Sequence, residues 1–138
     1  MTASDSLVFV DTGAWYALQD ADDRCHQAAL YFFDTRPRLI TSNYVIDETI
    51  TLTLYRLGHQ AALKVGEKLW SGVLARIVRV SESDERAAWD LFKRYSDKTF
   101  SFTDCTSFVL MERLRLQQAF TFDDHFVQTG QFIRMPRP

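Results

Sequence analysis

Apolar residues along this chain follow two alternating rhythms. Short, β-rich runs occur at 7–10, 39–41, 77–80, 119–122 and 132–135, each of strand length. Between them apolar positions recur at helical spacing. Ala29, Leu30, Phe32 and Phe33 mark 26–33, Val45, Leu52 and Tyr55 mark 44–57, and Leu69, Trp70 and Val73 mark 61–74. Segment 83–95 presents Ala87, Ala88, Leu91, Phe92 and Tyr95, with Ser83 as the expected N-cap and Asp84 and Glu85 suited to the positive end of the helix dipole. Segment 103–116 is apolar nearly all round at Phe108-Val109-Leu110-Met111, so it should pack deeply with its N-terminus near the sheet. Strands alternating with helices predict an α/β fold with a mainly parallel sheet covered on both faces.

Composition narrows this picture. A length of 138 residues, 46% apolar and 25% charged, suits one compact domain over 1–138, and no Pro/Gly/Ser-rich linker divides it. Cys25 and Cys105 form no C-x-x-C pair, so neither a zinc site nor a disulfide framework is indicated and a reducing compartment fits. The first residues lack a basic leader and no run is long enough to span a membrane, so a soluble, cytoplasmic protein is expected. A formal charge of −2 does not announce a nucleic-acid binder, but neutralising four carboxylates would bring it to +2. Of the 16 basic residues 12 are Arg, which suits phosphate forks and equally suits surface ion pairs.

Four carboxylates fall where a parallel sheet would gather them. Asp11 directly follows the run Leu7-Val8-Phe9-Val10 and so occupies the C-terminal mouth of a strand, where open α/β sheets bind ligands, though it can equally cap the helix through Ala14, Trp15 and Leu18. Asp5 precedes the same strand and belongs roughly 20 Å away, at the opposite edge. Asp123 repeats the placement after Phe120-Thr121-Phe122 and is better aimed over the sheet edge than Asp124. Asp104 closes Ser101-Phe102-Thr103-Asp104, a capping box that also heads the stripe of Phe108 and Met111. Glu48 falls on the stripe of Tyr44, Val45, Leu52 and Tyr55, where a carboxylate needs a cation or a buried salt bridge to an Arg, whereas Asp47 is rotated by about 100° towards solvent. Clustered carboxylates raise one another's pKa unless a cation joins them, and oxygen-only donors select Mg²⁺ or Mn²⁺. His26, His59 and His125 are scattered and read as surface or helix-end residues.

These motifs resemble the PIN domain family, and within it the VapC-type toxin ribonucleases of toxin–antitoxin systems. The likeness runs from Val10-Asp11-Thr12-Gly13-Ala14-Trp15, through Glu48, to Ser101-Phe102-Thr103-Asp104-Cys105 and Thr121-Phe122-Asp123-Asp124-His125-Phe126. It implies a three-layer α/β/α sandwich with a five-stranded sheet, an acidic quartet of Asp11, Glu48, Asp104 and Asp123 that is both catalytic and metal-binding, and Mg²⁺ or Mn²⁺ as cofactor. It also implies an RNA substrate, a small cognate antitoxin and a homodimer. The pattern T-x-D-x-x-F independently selects Asp123 over Asp124.

The expected chemistry is hydrolysis of RNA phosphodiesters, leaving a 5′-phosphate and a 3′-hydroxyl, with Asp11 and Asp104 holding the ion and Glu48 and Asp123 completing its shell. Looped or single-stranded RNA offers accessible backbone, and Trp15, Tyr16, Arg113, Arg115 and Arg134 are candidate contacts, although the aromatics also suit a core. A non-toxin RNA-processing nuclease of the same family and a metal-stabilised scaffold without catalysis are the alternatives. A phosphatase of the haloacid-dehalogenase kind would need a second Asp where Gly13 stands.

Overall fold

Each apolar run pairs with its neighbours in one direction only. The computed structural model describes residues 7–137, so Asp5, expected at the far edge, lies outside the described residues. The strands β1 (Leu7–Val10), β2 (Arg38–Ser42), β3 (Arg76–Val78), β4 (Gln118–Phe120) and β5 (Ile133–Met135) form one wholly parallel sheet in the order β3-β2-β1-β4-β5. The central three are nearly continuous in buried residues, as strands covered on both faces must be.

The crossovers are helical. They comprise α1 (Thr12–Gln19), α2 (His26–Asp34), α3 (Asn43–Leu57), α4 (His59–Trp70), α5 (Glu82–Arg94), α6 (Phe102–Arg113) and the short α7 (His125–Gln128). Right-handed crossovers put α1 to α4 on one face and α5 to α7 on the other, and the helices pack within those two groups, with α3 also touching α6. This is the expected three-layer sandwich. Strand order reverses between β1 and β4, and Val10 pairs with Phe120 there, so Asp11 and Thr121 emerge side by side. Below that point Phe9, Phe120, Phe126 and Phe108 are buried, with the rings of Phe108 and Phe126 5.0 Å apart and edge-on.

Several boundaries differ from the periodicity. Helix α4 stops at Trp70 instead of reaching Leu74, because Gly72 adopts φ +76° in the following turn, and Val73 stands exposed. Helix α6 stops at Arg113, with Arg115 at φ 58°, and β4 ends at Phe120. The buried stripe of α3 is Val45, Ile46, Thr49 and Thr53, and Tyr55 is exposed.

Helix α5 begins earlier than its periodicity suggests. Its N-cap is Ser81, not Ser83: the Ser81 hydroxyl accepts from the Asp84 amide at 3.1 Å and Asp84 accepts from the Ser81 amide at 3.0 Å. Asp84 is therefore buried, and Arg113 of α6 donates to it in a fork from Nε at 2.9 Å and Nη2 at 2.8 Å. Burial pushes the Asp84 carboxyl up, but the Arg113 fork and the Ser81 contacts outweigh it and hold it below its usual range. Its contribution to stability is then present above the usual 3.8 and is lost as pH falls through the lowered value. Arg113→Met should lower the free energy of unfolding at neutral pH by about 2–3 kcal/mol, because it strands a buried carboxylate, and urea denaturation measures this. An unchanged midpoint would show that the fork does not hold α5 to α6.

Candidate active site

Asp11 stands at the switch point of the sheet, where the β1 and β4 ends diverge and leave a crevice. Its amide donates to Phe120 O at 3.0 Å, which continues the β1–β4 ladder by one residue. The side chain then caps α1, with Oδ1 accepting from the Thr12 amide at 2.8 Å, while Oδ2 accepts from the Thr121 hydroxyl at 2.9 Å. Asp11 therefore caps the helix and faces the crevice at once. It is 4% exposed.

Asp104 arrives from the opposite helical layer. The capping box at the start of α6 is formed: the Ser101 hydroxyl accepts from the Asp104 amide, and Asp104 Oδ2 accepts from the Ser101 amide at 3.0 Å. Asp104 is 6% exposed. Asp123 belongs to the loop after β4, where its Oδ1 accepts from the His125 amide at 2.9 Å and its side chain remains 45% exposed. Asp124 points elsewhere, into an ion pair with Arg134 at 2.7 Å.

Electrostatics tie these acids into one centre. Burial raises the Asp11 carboxyl well above its usual value, and the charges of Asp123 and Asp104 raise it further against the opposing Thr121 and Thr12 contacts. Burial likewise raises Asp104, opposed by the Ser101 amide and His125 and reinforced by Asp123. Among the described residues no Lys or Arg forms an ion pair with Asp11, Glu48, Asp104 or Asp123. Beside Asp11, Thr12 Oγ1 is buried without a hydrogen-bond partner.

Glu48 is placed differently from its sequence expectation. It flanks the buried stripe of α3 and is half-buried, because Val45, Ile46, Thr49 and Thr53 take the inward positions. No salt bridge to an Arg holds it among the described residues, and Asp47 is exposed as its rotation on the helix requires. Of the suggested RNA contacts, Trp15 and Tyr16 are core residues, Arg113 serves Asp84 and Arg134 serves Asp124.

One neighbour of the acids holds the helix-end position that its spacing suggests, yet it also reaches the acidic centre. His125 does open a helix, α7, but its ring turns inward, and Nδ1 lies 2.7 Å from Asp104 Oδ2 and 3.8 Å from Asp123 Oδ1. Its place two residues after Asp123 puts it near the acids in sequence, but its contact with Asp104 is made only by the fold.

The donor set suits a hard divalent cation: carboxylate oxygens, repulsion that no Lys or Arg relieves, and an orphaned hydroxyl beside Asp11, the most buried acid of the centre. No three Asp, Glu, His or Cys side chains among the described residues form a ready-made cage. A cation here would keep part of its water shell, as Mg²⁺ commonly does.

Fold and edge together define a doubly wound α/β domain with an acidic centre at its switch point. Residues 8–131 match the PIN domain family. The chain is 37% identical over 125 residues to the 23S rRNA-specific endonuclease VapC20 of Mycobacterium tuberculosis, spanning 90% of this chain and 95% of that protein. It is 29% identical over 123 residues to a VapC ribonuclease of Archaeoglobus fulgidus, spanning 85% of this chain and 77% of that one. The crystal structure of M. tuberculosis VapC20, described as a sarcin–ricin loop cleaving toxin, superposes with a TM-score of 0.86 at 35% identity over 91% of this chain and 96% of that one. The structure of FitAcB from Neisseria gonorrhoeae shares the fold at a TM-score of 0.67 and 14% identity, over 92% and 95% of the two chains. The chain belongs to the PIN domain family, in its VapC group of ribonucleases.

The raised carboxyls have a consequence for stability without metal. A carboxyl with a raised folded pKa binds its proton more tightly folded than unfolded, so its effect on stability worsens as pH rises from the usual 3.8 through the raised value. Asp11→Asn, which cannot ionise, should therefore be more stable than the wild type at neutral pH by about 1–3 kcal/mol, with the gap closing on acidification. Urea denaturation in excess chelator from about pH 4 to 8 measures the gap. A variant no more stable than wild type at every pH would contradict this electrostatic picture.

Proposed function

We propose that this chain acts as one nuclease domain, the toxin of a type II toxin–antitoxin pair, and hydrolyses RNA phosphodiesters with Mg²⁺ or Mn²⁺. The observation that carries this reading is the gathering of Asp11, Asp104 and Asp123 at the switch point with no Lys or Arg paired to them among the described residues. Asp11 and Asp104 are the principal ligands, and Glu48 and Asp123 complete the shell directly or through water. A bound cation would neutralise charge on the phosphoryl oxygens and acidify a water for in-line attack. The chain's own part is positional. Thr12 and Thr121 hold both Asp11 oxygens, and the Ser101 capping box anchors one oxygen of Asp104 at the start of α6.

The relatives support a substrate class. One is specific for 23S rRNA and its crystal structure is described as that of a sarcin–ricin loop cleaving toxin, so a ribosomal RNA loop is the proposed target. Two surfaces support the proposed protein partners. A groove of about 1000 Å³, lined by Trp15, Leu18, Leu30, Leu57, Val65 and Leu74, suits an apolar antitoxin segment. The exposed, stacked rings of Trp89 and Phe92 on α5 suit burial against a second copy.

Incubation of the protein with a ribosomal RNA loop oligonucleotide and Mn²⁺ tests the activity. Cleavage should stop in excess chelator, yield 5′-phosphate ends and fall by about 10³-fold in kcat/KM for Asp11→Asn, equivalent to about 4 kcal/mol. A 2′,3′-cyclic phosphate product or full activity in chelator would overturn metal-dependent hydrolysis. Stabilisation by Mn²⁺ without cleavage of any RNA would favour a scaffold.

A further inference from the structure

His125 is drawn into the acidic centre from two sides. Its backbone amide donates to Asp123 Oδ1 at 2.9 Å, and its ring Nδ1 lies 2.7 Å from Asp104 Oδ2. The other ring nitrogen faces the Thr99 hydroxyl at 3.4 Å, and the ring meets Phe100 edge-on with centroids 5.5 Å apart. A hydroxyl can donate to Nε2, which leaves the proton on Nδ1, the nitrogen that faces an acceptor-only carboxylate. The Asp104 carboxylate thus sets the tautomer, the Thr99 hydroxyl is compatible with it, and Phe100 packs against the imidazole plane.

The effect falls on one oxygen of Asp104. Oδ2 accepts from both the Ser101 amide and His125, whereas Oδ1 has no hydrogen-bond partner among the described residues. The capping box alone leaves the carboxylate free to rotate about its amide contact, and the second donor removes that freedom. We infer that His125 is a positioning residue, whose Nδ1–H pins Asp104 Oδ2 to the protein so that Oδ1 is the oxygen presented to the catalytic cation. This rests on the reading of Asp104 as a ligand. The loop after β4 then holds both principal ligands, because Thr121, Asp123 and His125 lie within five residues of one another. It reaches Asp11 through the Thr121 hydroxyl and Asp104 through the imidazole.

Mn²⁺ binding to the full-length protein without RNA, measured by titration calorimetry, tests the inference for His125→Ala, His125→Asn, His125→Gln and Asp104→Asn. Asn places an amide N–H near the position of imidazole Nδ1, whereas Gln places one nearer Nε2. The expected order is wild type and Asn together, with Kd values within about threefold, and Ala and Gln weaker by about tenfold or more. Asn binding as weakly as Ala, or Ala binding as tightly as wild type, would overturn the role of His125. A thermal melt accompanies each variant, and an equal loss of fold and binding in Asn and Gln also overturns it. If Asp104→Asn binds Mn²⁺ like wild type, the assignment of Asp104 as a ligand fails first, and the positioning role falls with it.

Discussion

Asp11 is buried at the one point in the sheet where strand order reverses, and the charges of Asp123 and Asp104 act on it with no Lys or Arg paired to any of the three among the described residues. Desolvation and like-charge repulsion both oppose ionisation there. The surrounding structure resists relaxation of this arrangement. Asp11 is tied to Thr12 and Thr121, Asp104 to Ser101 and His125, and both lie on elements fixed by the buried aromatic core. The fold therefore holds negative charge in place at a cost in stability, and a cation is the economical way to relieve it. Under the proposed function, stability and activity would oppose each other at these residues, as is common where a site is pre-organised.

The division of labour among elements follows from their rigidity. Asp11 is one residue beyond a central strand and Asp104 is in the first turn of a deeply buried helix, so both have little freedom. Asp123 and Glu48 are more open, one on a loop and one on the flank of α3. That gradient fits a pair of fixed ligands supplemented by residues that can adjust or act through water. The distant fork between Asp84 and Arg113 serves a different end: it fastens α5 to α6, the helix that carries Asp104.

Much of this is legible in the residues. Five apolar runs at strand length, alternating with helical segments, are enough for a parallel α/β sheet, and the placement of Asp11 directly after β1 follows from the same pattern. The S-x-x-D box at Ser101 announces itself because both partners are local in sequence. The choice between Ser81 and Ser83 does not, since Ser83 also precedes acidic residues and only the distant Arg113 makes Asp84 an inward-facing residue. Periodicity sets Glu48 too deep because it draws the stripe through Tyr55, which tertiary packing leaves exposed. The role of His125 is hidden because its partner, Asp104, is 21 residues away, and no spacing rule reports a contact made by folding.

Diffraction from crystals soaked in Mn²⁺, with data collected to record the anomalous signal of the metal, tests the central claim most directly. A peak is expected at the β1–β4 switch point, within about 2.0–2.3 Å of an Asp11 oxygen and of Asp104 Oδ1. A protein that cleaves RNA with Mn²⁺ yet shows its ion away from these two carboxylates, or no ion at this edge at concentrations that support cleavage, would contradict it.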